Sequence, residues 1–182
     1  RMMALAGYPF NLRFSFYEAA QDCPSAPLGQ LYGDKDASQA SLDAFIASAD
    51  VFTYEFENIP VAWVEYIAAQ KPVYPSVKSL AVSQNRINEK KLFQHLSIPA
   101  AAYREVRTEA DLTQAVAELG LPLVIKTTMG GYDGKGQFVI REATQIAQAW
   151  SELQAGAPLI AEAFIVFERE LSIIAVRSQT GE

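Results

Sequence analysis

Apolar residues recur along this chain in two alternating rhythms. Leu42, Phe45, Ile46 and Ala49 are spaced three and four apart, as are Val61, Val64, Ile67 and Ala68, and that spacing gathers them on one face of a helix. Ser38 or Ser41 supplies a hydroxyl cap for the first helix, and Pro60 is placed to open the second. Residues 1–7 read as a helix closed by Gly7, and residues 8–16 lead into a strand. Residues 18–37 carry Pro24, Pro27, Gly29 and Gly33 and read as loop. Residues 50–54 form a strand that runs into Glu55-Phe56-Glu57-Asn58, and Val73-Tyr74 is a short strand stopped by Pro75. Helix and strand alternate, which predicts an open parallel α/β sheet over residues 1–75. A chain that starts inside a helix implies that an earlier strand and its loop precede it.

From Ser76 onward the rhythm changes. Ser76 caps a short helix to Val82, and residues 84–96 read as a second helix. Its Ile87, Leu92, Phe93 and Leu96 leave Arg86, Glu89 and Lys90 elsewhere on the surface. A strand follows at 103–106, then a helix at 109–119 capped by Thr108 and closed by Gly120. Next come a strand at 123–126, a glycine-rich turn, a strand at 138–141, a helix at 144–154 and a strand at 159–162. This order predicts a compact α+β unit. Residues 168–177 begin another extended stretch, and the chain stops at Glu182 with no partner for it. Four segments result: a first domain at 1–76, a helical connector at 77–102, the α+β unit at 103–166 and the start of a further sheet at 167–182.

Composition narrows the possibilities. The 182 residues are 50% hydrophobic and 20% charged, which marks a globular chain with a real core. A net charge of -6 argues against a nucleic-acid partner, whose footprint is basic. There is no uncharged apolar run long enough to span a membrane, and the first residues do not read as a signal peptide, lacking a long apolar core and a cleavage site. Cys23 is the only cysteine, so no internal disulfide forms, which fits a cytoplasmic setting. His95 is the only histidine. It reads as an ordinary surface residue, because zinc sites need several ligands.

Chemistry concentrates in residues 123–137. An apolar strand ends in Lys126, and Gly130, Gly131, Gly134 and Gly136 follow with Lys135 among them. Glycines let backbone N–H groups approach a ligand closely, and such concave runs beside a lysine suit phosphate. The loop is not a Walker A motif: Gly130 and Gly134 are one residue too close, and Gly136 stands where Ser or Thr belongs. Nor is it a dinucleotide fingerprint, which opens a helix. A protein-kinase loop takes its lysine from a later strand, whereas Lys126 comes before. On local chemistry alone the stretch is either a phosphate loop or a glycine-rich hairpin with two solvated lysines. Glu55, Glu57 and Asn58 close a strand at the end where open sheets hold ligands, and they read as substrate contacts or as surface acids with a helix cap.

Taken in order, these stretches resemble the ATP-grasp enzymes, and more narrowly the 5-(carboxyamino)imidazole ribonucleotide synthetases. The resemblance is carried by Thr53 through Pro60, Tyr74-Pro75-Ser76, Gln84-Asn85-Arg86 with Glu89-Lys90, Lys126 with Gly130 through Gln137, and Phe167 through Ser172. It covers essentially the whole chain. It implies a pre-ATP-grasp domain, then the α+β lid of an ATP-grasp fold, in a chain cut short at both ends. It also implies roles. Lys126 and Arg86 meet the phosphates, and Gly131, Tyr132, Asp133, Gly134, Lys135, Gly136 and Gln137 fold over them. Glu162, Ala163, Phe164 and Ile165 form the hinge against adenine, and Glu170 accepts from the ribose hydroxyls. Tyr132, Asp133 and Lys135 serve catalysis, and Glu55 and Glu57 touch aminoimidazole ribonucleotide. The implied reaction carboxylates that ribonucleotide with ATP and bicarbonate through carboxyphosphate. It requires Mg²⁺, whose ligands are expected beyond residue 182, and the implied assembly is a cytoplasmic homodimer. Alone, the 182 residues are expected not to turn over. Two alternatives are another ATP-grasp ligase, such as formate-dependent glycinamide ribonucleotide transformylase or biotin carboxylase, and a nucleotide-binding module without chemistry.

Overall fold

The computed structural model describes the chain apart from residues 21, 35, 37, 132–134, 155–157, 179–180 and 182. It divides into two compact units, Arg1–Gln84 and Asn85–Glu182, each with its own apolar cluster.

In the first unit α1 (Met2–Gly7) runs into a 3-10 turn, and β1 (Ser15–Tyr17) follows. β2 (Gln30–Tyr32) pairs with β1 in parallel, Ser15 opposite Gln30 and Tyr17 opposite Tyr32. Residues 18–37 thus contain a strand, and a 3-10 turn at Ala26–Leu28, where the sequence predicts only loop. With three residues β2 is too short to show an alternation, and it lies between Gly29 and Gly33. A Cβ at Gly29 would stand 2.1 Å from the Phe14 carbonyl oxygen, so the missing side chain is what lets the backbones approach.

α2 (Gln39–Ala47) starts at Ser38, whose hydroxyl oxygen accepts from the Ser41 amide. α3 (Val61–Ala68) opens after Pro60, and Ser76 caps α4 (Val77–Ser83). The predicted strands at 50–54 and 73–74 contract to one parallel bridge between Phe52 and Val73. The parallel pairing is as expected, but among the described residues it comes in two separate pieces instead of one sheet. Leu42, Ile46, Phe52 and Ile67 form the core, and the Tyr17 ring meets Phe45 and Trp63 at 5.4 and 5.3 Å.

The second unit begins with α5 (Arg86–His95), whose first turn is capped by the Asn85 carboxamide oxygen accepting from the Ile87 and Asn88 amides. Then come β3 (Tyr103–Val106), α6 (Glu109–Leu119), β4 (Leu123–Thr127), β5 (Gln137–Ile140), α7 (Ile146–Leu153) and β6 (Leu159–Ala163). The strands form one sheet in the order β3-β6-β4-β5, every neighbouring pair antiparallel. α6 begins with a reciprocal cap: the Thr108 hydroxyl accepts from the Asp111 amide, and the Asp111 carboxylate accepts from the Thr108 amide.

Register decides which side chains share a face, because directly opposed residues point the same way. Leu123, Ile125, Ile140, Leu159, Ala161 and Val106 lie on one face, buried against Leu112 and Ala115 of α6 and Ala149 and Leu153 of α7. Glu162 stands opposite both Val124 and Tyr103, and Lys126 stands opposite Ile160. These occupy the other face, the one that α5 contacts.

The predicted extended stretch at 168–177 is not a strand here. Residues 167–178 are exposed and irregular. Extended backbone needs partners for its amides and carbonyls, and no described strand pairs with this segment. His95 lies exposed in the last turn of α5. Among the described residues no helix is long and apolar enough to cross a membrane.

Candidate functional site

The polar face of the second sheet holds a buried carboxylate between two lysines. Glu162 on β6 is 7% exposed. Its Oε2 lies 2.5 Å from Lys126 Nζ on β4, and its Oε1 lies 2.7 Å from Lys90 Nζ on α5. Burial pushes this carboxyl toward the neutral form, but the hydrogen bonds and charges of Lys126 and Lys90 outweigh it and hold the group below its ordinary range. The cluster carries one positive charge in excess, which suits an anion.

A second cation organises the loop that follows β4. The Arg86 guanidinium donates to the carbonyls of Thr127 at 2.9 Å, Gly130 at 2.8 Å and Gly131 at 3.3 Å, and the Arg86 amide donates to Thr128. In this structure Arg86 grips the glycine loop itself. The loop neck is closed by the Thr127 amide donating to the Gly136 carbonyl. Two glycines are required there. Gly131 and Gly136 have φ of +77° and +73°. A Cβ would lie 2.7 Å from the Lys135 carbonyl oxygen at the first and 2.9 Å from Thr127 Oγ1 at the second. Beneath the neck the buried Thr128 hydroxyl donates to the Pro158 carbonyl at 2.9 Å.

Arg86, Lys90 and Gln94 recur every four residues on α5, and they touch in turn the glycine loop, Glu162 and the Tyr103 hydroxyl. Lys90 belongs to this site although the sequence reading leaves it out of the binding set. A signal for it exists: it follows Arg86 by four residues, so the two side chains share a helix face.

The other expected residues fall as follows. Gln137 pairs with Lys126 across β4 and β5, and Lys135 is exposed on the loop. Tyr132, Asp133 and Gly134 lie outside the described residues. The Ala163 amide donates to Ala102 at 2.9 Å and the Phe164 amide to Pro122 at 3.4 Å. The Phe164 ring packs under the Arg141 guanidinium at 5.9 Å, and Ile165 beside it is exposed. Glu170 lies in the exposed segment past β6, and no described hydrogen bond or ion pair ties it to the lysine cluster. Glu55 belongs to the other unit, where it lines a cavity of about 310 Å³ walled by Phe14, Tyr17, Phe45 and Trp63. Glu57 is exposed, and its carbonyl accepts from the Gln84 carboxamide. Among the described residues no group of three or more His, Cys, Asp or Glu side chains is placed to hold a metal ion.

Two family models divide the chain as its geometry does. A ribonucleotide synthetase preATP-grasp domain matches residues 1–84, and an ATP-grasp domain matches residues 91–182. The chain is 40% identical over 182 residues to the N5-carboxyaminoimidazole ribonucleotide synthase of Pseudomonas aeruginosa, covering all of this chain and 50% of that one. It superposes on the crystal structure of N5-carboxyaminoimidazole ribonucleotide synthetase from Thermus thermophilus with a TM-score of 0.89 at 35% identity, covering 100% of this chain and 48% of the other. A further synthetase of the same name, solved as its ADP complex, matches at TM-score 0.90 and 34% identity with the same coverage. The chain spans about half the length of the curated relatives it matches.

Proposed function

This chain belongs to the ATP-grasp family, and from that premise we propose that it forms the nucleotide-binding part of an enzyme carboxylating 5-aminoimidazole ribonucleotide. The observation that carries the reading is the pairing of Lys126 with Glu162 beside a glycine loop whose Gly130 carbonyl accepts from Arg86, in a chain collinear with synthases of that reaction.

ATP and bicarbonate are the co-substrates. A bicarbonate oxygen takes the γ-phosphoryl group, ADP leaves, and the resulting carboxyphosphate passes its carbon to the substrate amine with release of phosphate. In this reading Lys126 turns from Glu162 to the phosphates, and the glycine loop covers them and excludes water from the labile intermediate. Fixed charges at the reacting groups carry most of such chemistry. Residues 162–165 offer backbone to the adenine edge and Ile165 to its ring, with Glu170 on the ribose. Tyr132, Asp133 and Lys135 approach the aminoimidazole, and Glu55 and Glu57 contact the ribonucleotide. Mg²⁺, when bound with ATP, would neutralise phosphate charge. The setting is the cytoplasm, de novo purine synthesis the pathway and a homodimer the assembly.

Isothermal titration of ATP with magnesium into the full chain, with and without Lys126→Ala, tests the site. Binding lost in a folded variant supports it, and unchanged binding rejects it. Aminoimidazole-dependent ATP hydrolysis then separates this substrate from those of other ATP-grasp ligases.

A further inference from the structure

Glu162 has two ammonium partners, and the proposed chemistry uses only one of them. Lys126 sits on β4 beside the glycine loop with its side chain 28% accessible, while that of Lys90 is 13% accessible. A phosphate arriving at the loop competes with Glu162 for Lys126. Were Lys126 the sole partner, its departure would leave a buried carboxylate unpaired, which is strongly unfavourable.

We propose that Lys90 is a positioning residue of the nucleotide site, staying on Glu162 and keeping that carboxylate ionised and in place when Lys126 turns to the phosphates. This rests on the reading of Lys126 as a phosphate ligand. The helix is built to hold Lys90 still. One turn earlier Arg86 is pinned to the carbonyls of Thr127, at the end of β4, and of Gly130 and Gly131 in the loop, and one turn later Gln94 accepts from the Tyr103 hydroxyl. The Lys126 side chain, on β4, takes part in none of those bonds and can turn without breaking them. Among the described residues, the ionisable side chains that face Glu162 are Lys126 from β4, Lys90 from α5 and Tyr103 opposite it on β3. Glu105 lies further along the same face of β3, opposite Ile160, and its negative charge gives Glu162 no help. Without Lys90, the transfer of Lys126 to phosphate would oblige Glu162 to take up a proton. Nucleotide binding would then become coupled to protonation.

The test is calorimetric titration of ATP with excess magnesium into the full chain at neutral pH, repeated in buffers of different ionisation enthalpy. K90M is expected to bind roughly tenfold or more weakly, since one partner of a buried charge pair is gone. It should also take up a substantial fraction of a proton per ATP, where the unsubstituted protein takes up none. K90R should bind nearly as the unsubstituted protein does. K90M/E162Q, which has no carboxylate to neutralise, should recover affinity and lose the proton uptake. Normal affinity in K90M overturns the proposal. So does a double variant as weak as K90M, which would mean that Lys90 touches the nucleotide itself. If K90M does not fold, K90M/E162Q compared with E162Q decides: equal affinity supports the proposal, and a further loss overturns it. The underlying reading fails separately, through unchanged binding in Lys126→Ala, and takes the proposal with it.

Discussion

Glu162 is the residue on which the site's electrostatics turn. Its folded pKa lies below a glutamate's ordinary 4.5, because Lys126 and Lys90 outweigh its burial. A group depressed on folding contributes stability above its unfolded pKa and loses it as pH falls through the folded value. Asp34, held by the Ser38 hydroxyl and amide, and Asp111, held by the Arg107 and Thr108 amides and the Thr108 hydroxyl, shift in the same direction. The melting temperature is therefore expected to stay level from neutral pH down to about 5.5 and to fall below about 4.5, where carboxylates take up protons. Glu162→Gln should flatten part of that acid limb. Scanning calorimetry across the range checks this, and identical acid limbs in the two proteins would mean that other carboxylates carry the loss.

Among the elements, two kinds of contribution separate cleanly by mutation. The Thr108 cap supports α6 on the far side of the sheet from the lysines, so Thr108→Ala should cost about 1 kcal/mol of stability and leave ATP affinity unchanged. Leu112→Ala, at a fully buried position in the same core, should cost about 2–5 kcal/mol. Gly136→Ala acts at the loop. It places a Cβ 2.9 Å from Thr127 Oγ1 on backbone at φ +73°, so it should cost stability of the order of 1 kcal/mol or more and weaken ATP as well. Chemical denaturation and titration on the three variants check the contrast, and a Gly136→Ala protein that binds ATP normally would remove the loop neck from the site. The elements most legible in the sequence are those with local punctuation: Ser76 and Thr108 cap the helices they are expected to cap, Ser38 is the one of Ser38 and Ser41 that caps α2, and the apolar runs of β4 and β6 are long enough to stand out. β2 escapes a sequence reading because three residues between glycines have no period. The stretch at 168–177 reads as a strand because alternation reports a tendency to extend, while a strand also needs a neighbour. At the site, Lys126 and Glu162 are legible from their place in a motif. Their contact depends on a sheet register that joins residues 36 apart, and no local signal encodes that.

For the molecule as a whole, the division into Arg1–Gln84 and Asn85–Glu182 makes the nucleotide proposal testable by location. Every proposed phosphate and adenine contact comes from the second unit, while Glu55, proposed for the ribonucleotide, lies in the first. A ligand that binds only the folded state suppresses opening by RT ln(1 + [L]/Kd), about 2.7 kcal/mol at a hundredfold excess over Kd, and that suppression is felt in the structure it touches. ATP with magnesium should therefore slow amide exchange at Arg86–His95, at Leu123–Thr127 with the loop after it, and at Leu159–Ala163. It should leave β1, β2 and α2 exchanging at their original rates. Aminoimidazole ribonucleotide, added to the ATP complex, should extend protection to residues 53–58. Hydrogen exchange read by mass spectrometry on the full chain resolves these segments. Protection by ATP that began in the first unit would relocate the nucleotide and would refute the assignment of Lys126 and its neighbours to the triphosphate.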